Sequence, residues 1–281
     1  MRAEERAVIG AGALPVYSSF QRAAVRSAIV ATALVAGAAS VYAMRVSPMI
    51  VEMTTTGSDS VARVEVQNLN AGKLPFETRI TRLAFDENGV PSETAADADF
   101  IVFPPQGMLP QGARQVIRLQ WVGGADIPTS QAYYLSVNQL PIPTEPGTGG
   151  QAAQVQVVYH MKALVVVAPP NAQPNVSATS VKPIDYQPPA AKQGDPLPPM
   201  VPGLEVVMKN TGRRHAMMSA LKWVIEGKDT AGKSLRILIS EEDLNRGIGS
   251  GYVPGGGGTR VFRFAVVKAF GPGPINVKFV K

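Results

Sequence analysis

From about residue 44 onward the chain alternates apolar and polar positions in short runs, the period of half-buried strands rather than of helices. Val61-Ala62-Arg63-Val64-Glu65-Val66 alternates and breaks at Gln67-Asn68-Leu69-Asn70-Ala71-Gly72. Phe76 to Phe85 follows and stops at Asp86-Glu87-Asn88-Gly89. With Ser47 to Glu52, Phe100 to Phe103, Gln115 to Trp121, Ala132 to Val137 and Gln154 to Tyr159, the spacing predicts about seven strands, the pattern of an antiparallel sandwich. Prolines then crowd residues 168–202, which read as a hinge at 168–172, one strand near Val176 to Ile184 and a loop around 188–203. Strands resume at Leu204, Leu221, Leu235, Arg260 and Ile275, and only Glu241 to Asn245 suits a helical turn. The expected fold is all-β, with two β-sandwich domains, 44–168 and 169–281, joined by a short hinge.

Residues 1–43 follow a different pattern. A polar stretch carrying Arg2, Arg6, Arg22 and Arg26 precedes the uncharged run Ala28 to Ala39, and Val41-Tyr42-Ala43 follows, with the small Ala43 at the expected cleavage position and the modest Val41 two before it. That order describes an export signal. The alternative is an uncleaved membrane anchor, for which the apolar run is short and rich in Ala. Cleavage removes four Arg and two Glu and lowers the formal net charge from +6 to +4.

Composition closes several routes to chemistry. The chain has no Cys and only two His, His160 and His215, which argues against thiolate metal sites, cysteine nucleophiles and multi-histidine centres. It holds 27 Gly and 24 Pro, too many breakers for a helical bundle. No run of clustered Lys and Arg interleaved with aromatics points to nucleic acid. Gly227-Lys228-Asp229-Thr230-Ala231-Gly232-Lys233-Ser234 matches a phosphate-binding loop in letters. That loop needs a helix next, whose amides face the phosphates, and here Leu235-Arg236-Ile237-Leu238-Ile239 alternates as a strand; a hairpin turn is the reading. Pro254-Gly255-Gly256-Gly257-Gly258 joins two strands, and Gly247-Ile248-Gly249-Ser250-Gly251 does not fit a nucleophile elbow. No enzyme and no cofactor are expected.

The run Val155 to Val167 is the hardest to explain blandly. It is about twice an average strand in length and strongly β-prone, so at a sheet edge it would invite aggregation. Either it is a central strand of a large sandwich, or it is an edge left unpaired so that another chain can borrow it.

Taken together, these segments resemble the PapD-like periplasmic chaperones of chaperone–usher pilus assembly, in a divergent form. The resemblance rests on Phe103-Pro104-Pro105-Gln106-Gly107 with the following Arg118-Leu119, on Ala132 to Pro141, on the long run into Pro169, and on the turns Asn210-Thr211-Gly212 and Gly251-Tyr252-Val253-Pro254. It implies two immunoglobulin-like domains set as a boomerang. The implied partners are pilus subunits, incomplete folds that lack a last strand, and an outer-membrane usher, in the periplasm and without stable membrane insertion after signal cleavage. By that resemblance Val155, Val157 and Tyr159, with Met161 at the end of the row, enter the subunit groove. It also implies a pair of cleft cations that anchor the subunit's terminal carboxylate. Lys162 and Arg45 are the candidates, although counting back from Pro169 places one family position on Leu164, and the other falls on Ile50. Two residues along a strand shift a charge by roughly 7 Å. The rival reading is a structural or adhesive surface sandwich without chaperone activity.

Overall fold

The computed structural model describes residues 44–141 and 157–281. The export segment and Val155 lie outside the described residues. Ala43–Lys281 packs as one compact unit, all-β apart from one helix and short 3-10 turns.

The first ten strands build one sandwich: β1 (Met44–Ser47), β2 (Ile50–Thr54), β3 (Val61–Asn68), β4 (Leu74–Phe85), β5 (Pro91–Ala95), β6 (Phe100–Phe103), β7 (Gln106–Leu109), β8 (Arg114–Trp121), β9 (Gln131–Gln139) and β10 (His160–Ala168). One sheet has the order β1-β3-β8-β6 and the other β2-β10-β9-β4-β5, with β7 beside β4. The inward residues of both, among them Val64, Val66, Phe76, Ile117, Leu119, Tyr133, Leu135 and Val165, form one buried core. Single-strand alternation places them there: β8 reads exposed at Val116 and Arg118 and buried at Ile117 and Leu119. Asn68, fully buried at the end of β3, donates to the carbonyls of Gly72, Leu109 and Pro110 and so ties three segments together.

The stretch expected as one strand, Ser47 to Glu52, is two strands in two sheets. β1 pairs antiparallel with β3, whereas β2 pairs parallel with β10. Pro48, without an amide hydrogen, stands between them and interrupts any continuous ladder. β5 and β7 escape the sequence reading. Every residue of β5 is exposed, so it has no apolar alternation to betray it.

The second sandwich holds β11 (Val176–Tyr186), β12 (Val201–Asn210), β13 (Ala216–Met217), β14 (Lys222–Lys228), β15 (Ser234–Ile239), α1 (Glu241–Ile248), β16 (Tyr252–Val253), β17 (Gly258–Ala265) and β18 (Asn276–Val280). Its sheets run β11-β12-β17, β13-β16 and β15-β14-β18 around Trp223, Phe262, Phe264 and Leu204. Residues 227–234 close the β14–β15 hairpin. Asp229 Oδ1 accepts from the amides of Ala231 and Lys233, at 3.0 and 2.9 Å, in an Asx turn rather than a phosphate cradle. The helix exceeds the expected turn. Ser240 caps it by accepting from the Asp243 amide, and the acidic residues of the first turn suit the positive end of its dipole.

The outer face of the β2-β10-β9-β4 sheet is covered by the second sandwich. Leu83, Ala132, Leu164 and Val166 cluster with Tyr252, and the Phe85 ring lies tilted at 5.0 Å from the Tyr252 ring. Backbone bonds fasten the two: Ser130 N to Arg213 O at 2.9 Å, and Val261 N to Glu87 O at 2.7 Å. Among the described residues no helix is long and apolar enough to cross a membrane.

Candidate functional site

β10 changes character along its length. From Leu164 to Ala168 it is flanked on both sides, by β9 and by β2. From His160 to Ala163 its pairing among the described residues is with β9 alone. The change falls where the Leu164 amide donates to the Met49 carbonyl at 2.8 Å. Because N–H and C=O of one residue point the same way in a strand, even-numbered residues address the β2 side. His160 and Lys162 therefore present their backbone donors and acceptors to a side that carries no strand among the described residues.

The expectation that the whole run has one free side is corrected by this pairing: the last five residues of β10 are interior. Both their faces are covered too, Val165 and Val167 by the first core and Leu164 and Val166 by the cluster under Tyr252. A strand covered on both faces needs no alternation, which explains the unbroken Ala163-Leu164-Val165-Val166-Val167-Ala168. The strand is also shorter than expected. It begins at His160, and at Tyr159 the ladder is patched by a side chain: Tyr159 O accepts from Gln139 N at 2.9 Å, while Tyr159 N donates to Gln139 Oε1 at 3.4 Å.

Of the residues expected to enter a groove, Val157 is 58 % exposed, while Tyr159 and Met161 are half-buried against the rim of the first core. Lys162 points to the opposite face. Its Nζ lies 2.6 Å from Glu93 Oε1 and 5.4 Å from the centre of the Tyr134 ring. The Lys162 ammonium, and then the Thr81 hydroxyl, hold the Glu93 carboxyl below its usual value.

The two expected cations are not brought together. Arg45 is exposed on β1, in the other sheet, opposite Gln67. The counted family positions do meet, since Ile50 pairs with Leu164, but both are apolar. A cleft of about 270 Å³ opens beside that pair, lined by Ile50, Leu164, Tyr134, Tyr252, Gly89 and Arg260 among others. Arg260, on β17, is the cation that sequence reasoning missed. It is brought to the Gly89 turn by tertiary packing between segments far apart in the chain, and no local motif announces it.

Two residues along β2 from Ile50, Glu52 faces the second sandwich. It pairs with Arg214 Nη2, and His215 Nε2 lies 3.6 Å from its Oε1. His215 first and Arg214 next, against the opposing penalty of burial, hold the Glu52 carboxyl down from 4.5 to about 2. His215 is buried and stacks on Tyr252 at 5.7 Å. Tyr252 is itself buried, which raises its phenol above the usual value.

The first sandwich combines a parallel β2–β10 pair with otherwise antiparallel pairing, and among the described residues β10 has a second neighbour only from Leu164 onward. Residues 44–173 match the family model described as pili and flagellar-assembly chaperone, PapD N-terminal domain. No curated relative matches the chain. Among solved structures, the chain is similar to the Salmonella enterica SafA pilin in complex with the SafB chaperone, at 13% identity over 86% of this chain and 99% of that one, TM-score 0.49. It is similar to the class 5 fimbriae chaperone CfaA, at 11% identity over 85% and 99%, TM-score 0.48. The CsuC–CsuE chaperone–tip adhesion subunit pre-assembly complex from archaic chaperone-usher Csu pili of Acinetobacter baumannii gives 16% identity over 84% and 93%, TM-score 0.46.

Proposed function

We propose that this chain is a periplasmic assembly chaperone that stabilises secreted pilus or fimbrial subunits by lending them a strand, and that it hands them to an outer-membrane usher. The proposal includes an export signal over 1–43, a first domain over 44–168 and a second over 169–281. The observation that carries it is the one-sided pairing of His160–Ala163, next to an exposed Val157. A borrowed strand along this edge satisfies main-chain groups on both partners, while alternate side chains set its register. Val157, Tyr159 and Met161, with Val155 ahead of them, are the residues we place in the subunit. Burying three such side chains is worth about 5–9 kcal/mol of hydrophobic transfer before ordering costs. Lys162 flanks the cleft through Tyr134 and stays in the proposal as a cation near the subunit's end; Arg45 is not among the residues that line the cleft. No chemical turnover, metal or cofactor enters this reading.

The test is co-expression with a secreted pilus subunit and affinity capture of the chaperone. Val157→Asp is expected to abolish co-purification while the chain stays folded. Undiminished capture by the variant would remove the strand assignment, and a surface sandwich that serves no subunit would capture none in either form.

A further inference from the structure

The two halves of β10 are held differently on their outer face. Leu164 and Val166 lie under Tyr252, in the apolar cluster that joins the sandwiches. His160 and Lys162 stand on the same face, since side chains two apart share a face of a strand, but they are exposed. Their side chains run sideways over the sheet instead. His160, Asn138 and Glu77 stand directly opposite one another on β10, β9 and β4. His160 Nδ1 lies 3.1 Å from Asn138 Oδ1, and Asn138 Nδ2 donates to Glu77 Oε1 at 3.4 Å. Arg79 Nε donates to that same oxygen at 3.0 Å. Lys162 reaches further. Its Nζ passes 5.4 Å from the centre of the Tyr134 ring on β9 and lies 2.6 Å from Glu93 Oε1 on β5, beyond β4 in the sheet. The Thr81 hydroxyl on β4 donates to the other carboxylate oxygen at 2.7 Å.

Every residue of β5 is exposed, and none belongs to a buried cluster. What β5 supplies is a carboxylate held from two sides. An exposed ion pair is ordinarily weak, because two long side chains lose freedom and water screens the charges. Here Thr81 fixes the carboxylate and the Tyr134 ring guides the ammonium, so less freedom remains to be lost. A strand with a backbone neighbour on one side only opens locally with little resistance. A guest that needs the edge extended then binds more weakly, in proportion to the time the edge spends out of place. We propose that Glu93 is a positioning residue for strand lending: through Lys162 it straps the open half of β10 across the sheet, so that the edge is extended before a guest arrives. The row His160–Asn138–Glu77 adds a second strap two residues earlier. Both lie on the face opposite Tyr159 and Met161, which pack against the rim of the first core, and so leave that row uncovered for the guest. This rests on the strand-lending reading above. It adds that capture is governed in part by Glu93 and Glu77, which are not among the residues lining the cleft.

The experiment uses the full-length protein and a short peptide alternating valine and serine, acetylated at one end and amidated at the other. Blocking both ends removes any pull of a cation on a chain terminus. Titration calorimetry gives affinities for the wild type, Glu93→Gln, Lys162→Met, the two combined, and the swapped pair Glu93→Lys with Lys162→Glu. Each single variant should weaken binding about three- to tenfold. The combined variant should be no weaker than either single one, and the swapped pair should recover about half of the loss. In the free protein Glu93→Gln should speed exchange of the His160 and Lys162 amides by a similar factor while the urea midpoint stays at the wild-type value. That separates positioning from a general loss of stability. Wild-type affinity and exchange in Glu93→Gln would overturn the role of Glu93 and leave strand lending in place, provided the peptide binds and protects those amides. Additive losses in the combined variant would overturn it too, since Lys162 and Glu93 would then act apart, and so would a urea midpoint that falls in step with affinity. A wild-type protein that neither binds the peptide nor protects those amides would remove the strand-lending reading itself.

Discussion

Two halves of β10 meet at the Leu164 amide, and they differ in everything except their backbone conformation. The half from Leu164 to Ala168 has a strand on each side and a packed layer on each face, and all five residues are buried. The half from His160 to Ala163 has one neighbour among the described residues, and its first three residues alternate between exposed and half-buried. The first half gains its stability from the rest of the chain. The second leaves hydrogen-bonding groups and apolar area to be satisfied by something else, the liability that edge strands ordinarily suppress. Anchoring one end of a strand in two layers is what lets the other end remain extended without a second neighbour.

The strongest way to break that comparison is to place the same charge in each half. Val166→Asp buries a carboxylate between Leu83, Ala132 and Tyr252, and urea denaturation should show a loss of about 4 kcal/mol. Val157→Asp should change stability by no more than about 0.5 kcal/mol. Equal losses would mean that the two halves are equally built in. A gentler measurement is amide exchange. The His160 and Lys162 amides should exchange on the order of a hundredfold faster, or more, than those of Leu164 and Val166. They should slow when a strand-forming peptide is added.

The smallest effect concerns Glu52, which stands opposite Val166 on β2. Its carboxyl is held down from 4.5 to about 2, so its stabilising contribution is fully present above pH 4.5 and is lost as pH falls toward 2. Glu52 is partly exposed, so Glu52→Gln should cost under about 1 kcal/mol at neutral pH. Below pH 2 the two proteins should converge, as followed by thermal melts across pH. A difference that grows on acidification would reverse the assignment.

How much of this was legible depends on how local each cause is. The hairpin at 227–234 is set by its own turn chemistry and by the alternation that follows, so it reads correctly from the residues. The break between β1 and β2 depends on which sheet each side of Pro48 joins, a choice made by β3 and β10 and not by the segment. The run into Pro169 reads as strand throughout because Val, Leu and Tyr favour strands wherever they stand. Where it stops being a ladder is decided by Met49 and Gln139, which are distant in sequence. Arg260 is the extreme case. Its partner surface is a turn whose Asp86-Glu87-Asn88-Gly89 letters announce only a change of direction.

The bond from Leu164 to Met49 also sets a length. On the strand-lending proposal, a guest segment could take only the rungs that precede it, because the next ones belong to β2 from Ile50 to Thr54. Overshooting by even one repeat would mean prying the host's own strand away from a fully buried neighbour. On that proposal, the edge would measure its guest as well as match it, and a tail that is too long would be refused by backbone already in place.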